Sequence, residues 1–596
     1  MLRRGRALAG LLAAVTLLAA ACSSGGTVST GSGASTSAGT PVRGGTLTML
    51  GQSDIFNVDT VSAYYTVSTL LERMFARQLF SYADTPSFAG QLKLVPDVAT
   101  EVPTTANGGI TDGGTTLTIH LKKGVDWNTK PARQVTAADF VREFKMLCNP
   151  VSPVGAPGYF LSTIVGMQDY CNGFAKVPAN VSAIASYVNG HSLAGVVATS
   201  DLTLTFHLLQ PAPDFLNILA MGFCSARPVE YMKYLPDSAQ FRRSTLSDGP
   251  YEITSYTADK GFVLQRNPAW SQATDTLRHD YVSKVVITEG LTADSVQQQL
   301  QAGTGDMEWD VAPPTQDIPS LLSTHDTNLV IGPAGPAYVD LGTYLAMNQY
   351  AGPMKNQLVR EAVEYAVNKN AIVQILGGPQ ITETTSQLIL PGNVGYAKGF
   401  NPFPDNNGAG DPAKAKSLLA QAGQSGLSVK LLYSTTQPMP RVAQALQSSL
   451  QAAGFKVSLV PATQADFYGK YLEDPTTGKQ DTWDIAPPGW VPDWFGNNGR
   501  STVQPLLTNP GPGSNDFGGY VSSAVNALIA KALAAPTTSA AATYWAQADE
   551  TGVKDAAVVP INVQKWPIYH SSQVKGCNFF ANALNCDPTN VWLSGG

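Results

Sequence analysis

Mixed α/β is the fold class this 596-residue chain predicts, and three observations carry it. Leu117, Ile119 and Leu121 alternate with Thr118 and His120, the period of a half-buried strand. A helical pattern with Phe140, Phe144 and Leu147 on one face follows. Further on, the apolar stretches Val429–Tyr433 and Phe455–Val460 flank a helical run from about Arg441 to Ala453 that Gly454 ends. Strand, helix, strand at that length reads as a right-handed βαβ unit. Charged residues make up only 14% of the chain, against 55 Gly and 40 Pro, the composition of a loop-rich globular protein rather than a helical bundle.

The first residues read as an address. Arg3, Arg4 and Arg6 precede an apolar run from Ala7 to Ala21, too short to span a membrane, which predicts a signal peptide over 1–21. The small residues ending at Cys22 resemble a bacterial lipobox, with Ala19 where Leu is usual, and imply that Cys22 is lipidated; simple secretion is the alternative. Ser23 to Thr40 is rich in Ser, Gly and Thr and reads as a flexible tether, so 22–41 is taken as anchor and linker. No later stretch approaches twenty apolar residues. The expected setting is the outer face of the cell membrane.

Charge and cysteine usage fit that setting. The formal net charge is −6, and the signal peptide carries three Arg and no acid, so its loss takes the chain to −9. An acidic chain is a poor partner for nucleic acid. Besides Cys22 there are five cysteines, and outside the membrane neighbouring pairs favour disulfides. Nearness suggests Cys148 with Cys171 and Cys577 with Cys586, leaving Cys224 as a buried thiol, although spacing alone does not fix connectivity. There is no Cys-x-x-Cys and the six His stand singly, so neither a metal site nor a cofactor is expected.

Roughly 555 residues remain, enough for two to four domains. In the first half, Thr136 caps the helix with Asp139 three residues on. In the second, Asp411 caps a helix with Pro412 in its first turn, Ala415, Leu418 and Leu419 on its apolar face and Gly423 at its end. The segment Gly113–Trp127 followed by Val135-Thr-Ala-Ala-Asp-Phe140 resembles the signature of the family 5 solute-binding proteins of bacterial ABC importers: apolar strand, basic-basic-Gly-Val, an aromatic, then Val-Thr-Ala-x-Asp opening a helix. The usual Asp-Gly is replaced by Asn128-Thr-Lys-Pro-Ala-Arg133. Pro96-Asp-Val-Ala-Thr-Glu-Val102, Asp248-Gly-Pro-Tyr251, Arg266-Asn-Pro-Ala-Trp270, Gln301–Asp306 and Val359–Lys369 are similar to further family segments in the family's order.

That resemblance implies a periplasmic-binding-protein-like fold of the class with an extra domain: two lobes joined by a hinge, plus an inserted third domain. Domain I is expected at 42–85, 216–335 and 561–596, domain II at 86–215 and domain III at 336–560. It also implies a monomer that captures a solute, peptides being the commonest, between domains I and III and delivers it to an ABC permease.

One loop points to the solute. Nine Trp occur in 596 residues, and three of them, Trp483, Trp490 and Trp494, fall within Trp483–Asn498, where Pro487, Pro488, Gly489, Pro492 and Gly496 forbid a continuing helix. Rings on a stiff loop offer apolar walls, and Asp493 offers a charge among them that suits a cationic or amine-bearing ligand. The competing reading makes the rings core anchors and Asp493 a solvated turn residue. Gly489-Trp490-Val-Pro-Asp493-Trp494 matches the Gly-Trp-x-x-Asp-aromatic pattern of peptide-binding members. The match implies that Trp490 and Trp494 wall the cleft while Asp493 pairs with a peptide's α-amino group. Some oligopeptide binders carry Arg two positions before the Gly to hold a carboxylate; here Pro487 stands there, which disfavours a tripeptide clamp and leaves longer peptides or oligosaccharides open. A lipid-anchored hydrolase is the rival from another class, but neither a Gly-x-Ser-x-Gly elbow nor a His-Glu-x-x-His motif occurs. A surface sensor that binds without delivering is a further rival that no motif excludes.

Overall fold

Three sheets organise the chain in the computed structural model, which describes residues 39–497, 499–508 and 515–595. The signal peptide, Cys22 and nearly all of the tether lie outside the described residues.

The first sheet has five strands in the order Tyr251–Thr257, Gly261–Arg266, Lys284–Thr288, Thr46–Leu50 and Met307–Glu308. Its last three strands run parallel, with Met49 opposite Ile287 on one side and Met307 on the other. Beside this sheet lies a buried ion network. Asp97, within Pro96–Val102, accepts from Arg77 Nε at 2.8 Å and from Arg278 Nη2 at 2.7 Å, and Asp275 joins both arginines. Asn267 Nδ2 donates to the Gly249 carbonyl at 2.9 Å, tying Arg266–Trp270 to Asp248–Tyr251. A Cβ on Gly249 would sit 2.7 Å from the Met74 carbonyl, so the turn needs glycine there.

The second sheet is antiparallel, with strands Ile110–Thr111, Thr116–His120, Thr203–His207 and Val196–Ser200 in that order. Helix Ala137–Met146 packs on it, and its start carries the reciprocal cap between Thr136 and Asp139. Cys148, just past that helix, is bonded to Cys171 in helix Met167–Phe174, with Cα atoms 5.2 Å apart.

The third sheet is mixed and six-stranded: Thr382–Thr384, Val558–Gln564, Asp340–Met347, Ile485–Ala486, Ser428–Ser434 and Lys456–Ala462. The last two are parallel and joined through helix Met439–Ala452, the strand–helix–strand order read from periodicity. Helix Pro412–Gln421 is capped by Asp411, whose carboxylate accepts from the Lys414 N–H at 2.9 Å. Strand Asp340–Met347 is buried on both faces. Leu345 and Met347 join a core with the helices just named, whereas Tyr344 and Ala346 face a second core that holds Trp483, Trp490 and Trp545.

The chain passes between the first and third sheets twice, side by side. Strand Leu329–Gly332 pairs antiparallel with Trp566–Tyr569, and Asp340–Met347 with Val558–Gln564. The sheet therefore continues to Gln564, past the boundary expected at 560, because Asp340 and Thr382 both pair with Gln564. Lys565 Nζ donates to the Gly335 carbonyl at 2.5 Å, fastening one crossing to the other. At Gly332 a Cβ would fall 1.7 Å from the Phe579 ring. Cys577 and Cys586 are bonded, with Cα atoms 5.0 Å apart, and bracket the paired strands Phe579–Phe580 and Asn585–Cys586. Cys224 is fully buried and its thiol donates to the Ile218 carbonyl at 3.3 Å.

Candidate ligand-binding site

A cavity of about 400 Å³ lies among segments from distant parts of the chain, within the range of small-molecule sites. Tyr64 and Tyr65 come from the start of the first helix, Glu473 and Tyr468 from a wide helical turn over Asp466–Leu472, and Gly489 to Asp493 from the tryptophan loop. The hairpin tip from Phe580 to Leu584 completes the wall.

The loop takes its shape from the third sheet. Trp490 exchanges two backbone hydrogen bonds with Leu341, at 2.9 and 3.0 Å, so the loop runs as an extra rung beside strand Asp340–Met347. A Cβ on Gly489 would lie 3.0 Å from the Gly342 carbonyl, which explains a glycine at this close backbone approach. The Trp490 indole donates to the Ser501 carbonyl at 2.9 Å, so the ring is fixed at its polar edge while it lines the cavity.

Trp494 differs from the expectation. It is fully buried, its indole donates to the Asn497 carbonyl at 2.5 Å, its ring packs on Tyr159 at 5.3 Å between centroids, and it is not among the residues that line the cavity. Three residues, Val491, Pro492 and Asp493, separate it from Trp490, and the ring packs into the core instead. Trp483 is likewise a core residue, 1% exposed. Trp483 and Trp494 are thus core residues, while Trp490 lines the cavity.

Asp493 sits on the cavity wall with two neighbours that spacing does not reveal. Tyr159 donates its hydroxyl to Oδ2 at 2.5 Å and Tyr64 donates to the same oxygen at 3.3 Å. No cation pairs with Asp493 among the described residues. Burial pushes its pKa up to about 7, and the two hydroxyls pull the other way without overcoming it. Tyr159 is itself held by Arg500, which is 1% exposed, stacks over the Tyr159 ring at 5.5 Å, donates to its carbonyl at 3.2 Å and pairs with Asp214 at 3.3 Å.

The rest of the lining is acidic and aromatic. Asp340 accepts from Gln564 Nε2 at 2.7 Å, and burial raises its pKa to about 7. Glu72 is driven well above the usual carboxylate range, first by burial and then by Glu143 and Asp59. Tyr468 receives the Gly489 N–H on its hydroxyl at 3.4 Å. The sequence carries one faint signal for these residues, the tandem Tyr64-Tyr65. No pattern in it singles out Glu72, Glu473 or the hairpin tip. Among the described residues no group of three or more His, Cys, Asp or Glu side chains is placed to hold a metal ion.

Residues 93–509 match the Bacterial extracellular solute-binding proteins, family 5 Middle. The chain belongs to this family. It is 26% identical to the dipeptide-binding protein of Escherichia coli over 400 residues, 65% of this chain and 66% of that one. It is 25% identical to heme-binding protein A of Haemophilus influenzae over 483 residues, 78% of this chain and 77% of that one. Among solved structures, the clavulanic acid biosynthesis oligopeptide binding protein 2 superposes with a TM-score of 0.77 at 23% identity, covering 93% of this chain and 96% of that one. The OppA of Haemophilus influenzae in complex with RPPGFSPFR gives a TM-score of 0.74 at 18% identity, over 93% of this chain and 100% of that one. The fold is thus that of the periplasmic peptide-binding proteins, mixed α/β with two lobes and an extra domain.

Proposed function

We propose that this family 5 protein is the receptor of an ABC importer, capturing peptides through their free α-amino group and delivering them to a membrane permease. The observation that carries the reading is Asp493: a carboxylate on a cavity wall, aligned by two tyrosine hydroxyls, with no cation paired to it among the described residues. A ligand ammonium group supplies the missing charge. Trp490 gives the adjoining apolar wall. The paired crossings at 333–339 and at Lys565 suit a hinge, and closing the lobes over the ligand is the working step, with no covalent chemistry required. Lipidation of Cys22 would hold the receptor close to its permease and raise its effective concentration there.

Calorimetry with free and N-acetylated peptides tests the central claim. A charge-assisted hydrogen bond in a partly dry site contributes about 1.5 to 3 kcal/mol, so Asp493→Asn weakens a free peptide by roughly ten- to a hundredfold. Acetylation should cost the wild type as much and Asp493→Asn little. Equal losses in both proteins would reject the amine contact and favour a neutral ligand stacked on Trp490. For the anchor, membrane-extracted protein should carry acyl mass on its N-terminal peptide, and Cys22→Ala should leave the membrane fraction.

A further inference from the structure

The cavity is one-sided in charge. Among the described residues four carboxyl groups line it, Glu72, Asp340, Glu473 and Asp493, against a single cation, Arg73. Arg73 is already occupied: Nε donates to Asp587 at 2.8 Å, Nη1 to Ser81 at 3.0 Å and Nη2 to the Leu277 carbonyl at 3.3 Å, and the side chain is 5% exposed. A ligand carboxylate therefore meets no available counter-charge among the described lining residues.

Two of the acids stand without a cation beside them among the described residues, and one of them, Glu72, is buried. Glu72 is 3% exposed and lines the cavity, yet its Oε1 has no hydrogen-bond partner among the described residues. Gly222 faces it so closely that a Cβ there would lie 1.9 Å from Oε2. Glu473, half-buried, has no paired cation among the described residues either, and Tyr64, Tyr65 and Tyr468 stand close enough to feel its charge. Burying polar oxygens without partners is costly, and a carboxylate among aromatic rings is the chemistry that receives a cation.

We propose that the cavity selects ligands with a second positive charge, a peptide bearing a basic side chain, which Glu473 and its tyrosines receive, with Glu72 a further carboxyl on the same lining. This rests on the amine contact at Asp493, which holds the first charge. Acidic peptides find no free counter-charge among the described lining residues, because Arg73 is occupied.

The test uses the mature chain and tetra-alanine peptides carrying Lys, norleucine or Glu at the second, third or fourth position. Norleucine keeps the length and apolar stem of Lys without the charge. At one position or more, Lys should bind at least about tenfold tighter than norleucine, and Glu more weakly than either. Glu473→Gln should cut the ratio of Lys to norleucine affinity to under about threefold, with a smaller cut in Glu72→Gln. Equal binding of Lys and norleucine peptides at every position overturns the proposal, as does a Lys advantage that survives both substitutions. If no peptide binds at all, the peptide reading fails separately, and spermidine then decides the charge preference. Spermidine binding that Glu473→Gln abolishes supports it, and no spermidine binding overturns it.

Discussion

Tyr159 donates its hydroxyl to Asp493 at 2.5 Å across 334 positions of sequence. Tyr64 reaches the same oxygen at 3.3 Å across 429 positions. Both bonds favour the ionised carboxylate against the burial that opposes it. Tyr159→Phe removes the shorter one. The expected result is a further rise in the Asp493 pKa and a loss of roughly three- to tenfold in affinity for free-amine peptides at pH 7, partly recovered at pH 8. Tyr64→Phe should cost less, since its bond is longer. Calorimetric titration at the two pH values checks both.

The pKa of about 7 at Asp493 makes binding pH-dependent. Only the ionised form pairs with an ammonium group, so affinity should rise from pH 5.5 to 7.5, with a proton released on binding near pH 6. Asp493→Asn should flatten the profile. Repeating the calorimetry in buffers of different ionisation enthalpy counts the proton directly.

The same groups set the stability of the free protein. The folded-state pKa of Asp493, and those of Asp248 and Asp340, each about 7, lie above the ordinary value near 3.9. The fold therefore prefers the protonated forms: their contribution is full below about pH 4 and is lost as pH rises through about 7. Asp275 works in the opposite sense, held below the usual range by Arg278 and Arg77 against burial, so its contribution fades only in stronger acid. Unliganded protein should accordingly melt at a lower temperature at pH 8 than at pH 5. A Tm that climbs over that interval would contradict these assignments.

The legible parts of this molecule are those decided by neighbours in sequence. The caps at Thr136 and Asp411 and the periodicity of the strand–helix–strand over 428–462 all follow from residues near one another in sequence. The direction a ring takes within a stiff loop does not, because it depends on which surface lies opposite. Trp490 meets strand Asp340–Met347 and lines the cavity, whereas Trp494, four positions on, meets Tyr159 and is buried. The hydroxyls on Asp493 and the acids across the cavity belong to segments that only tertiary structure brings together. The strand to Gln564 runs past the expected boundary for a similar reason: its pairing partners, Asp340 and Thr382, lie far upstream.

Arg500 is a second consequence of the tryptophan loop. From a 1% exposed position it pairs with Asp214 and donates to Ser162 Oγ at 3.0 Å and Thr163 Oγ1 at 2.6 Å. Removing one partner of a buried pair leaves the other uncompensated, so Arg500→Met should destabilise the fold by about 3 to 5 kcal/mol. Lys offers one point charge in place of a planar fork and should recover little of this. Urea denaturation of both variants measures the loss, and a change under about 1 kcal/mol would contradict it.

The two disulfides should separate stability from binding. Cys577–Cys586 spans nine positions and clasps the hairpin whose tip, Phe580 to Leu584, lines the cavity. Cys148–Cys171 spans 23 positions and neither cysteine lines the cavity. Loop-closure entropy assigns about 2 to 3 kcal/mol to the shorter link and about 3 to 4 to the longer. Replacing Cys148 and Cys171 with Ala should thus cost more stability and leave peptide affinity unchanged. Replacing Cys577 and Cys586 with Ser should cost less stability yet weaken binding, because a looser tip must be ordered when ligand binds. The hairpin will not be lost altogether: Gln91 donates to the Phe579 carbonyl at 2.6 Å and accepts from the Ala581 N–H at 2.8 Å, and Arg73 lies over the Phe580 ring at 4.8 Å. The affinity loss should therefore be moderate, roughly three- to tenfold by calorimetry. Unchanged affinity in the Cys577/Cys586 variant would mean that Gln91 and Arg73 alone fix this wall.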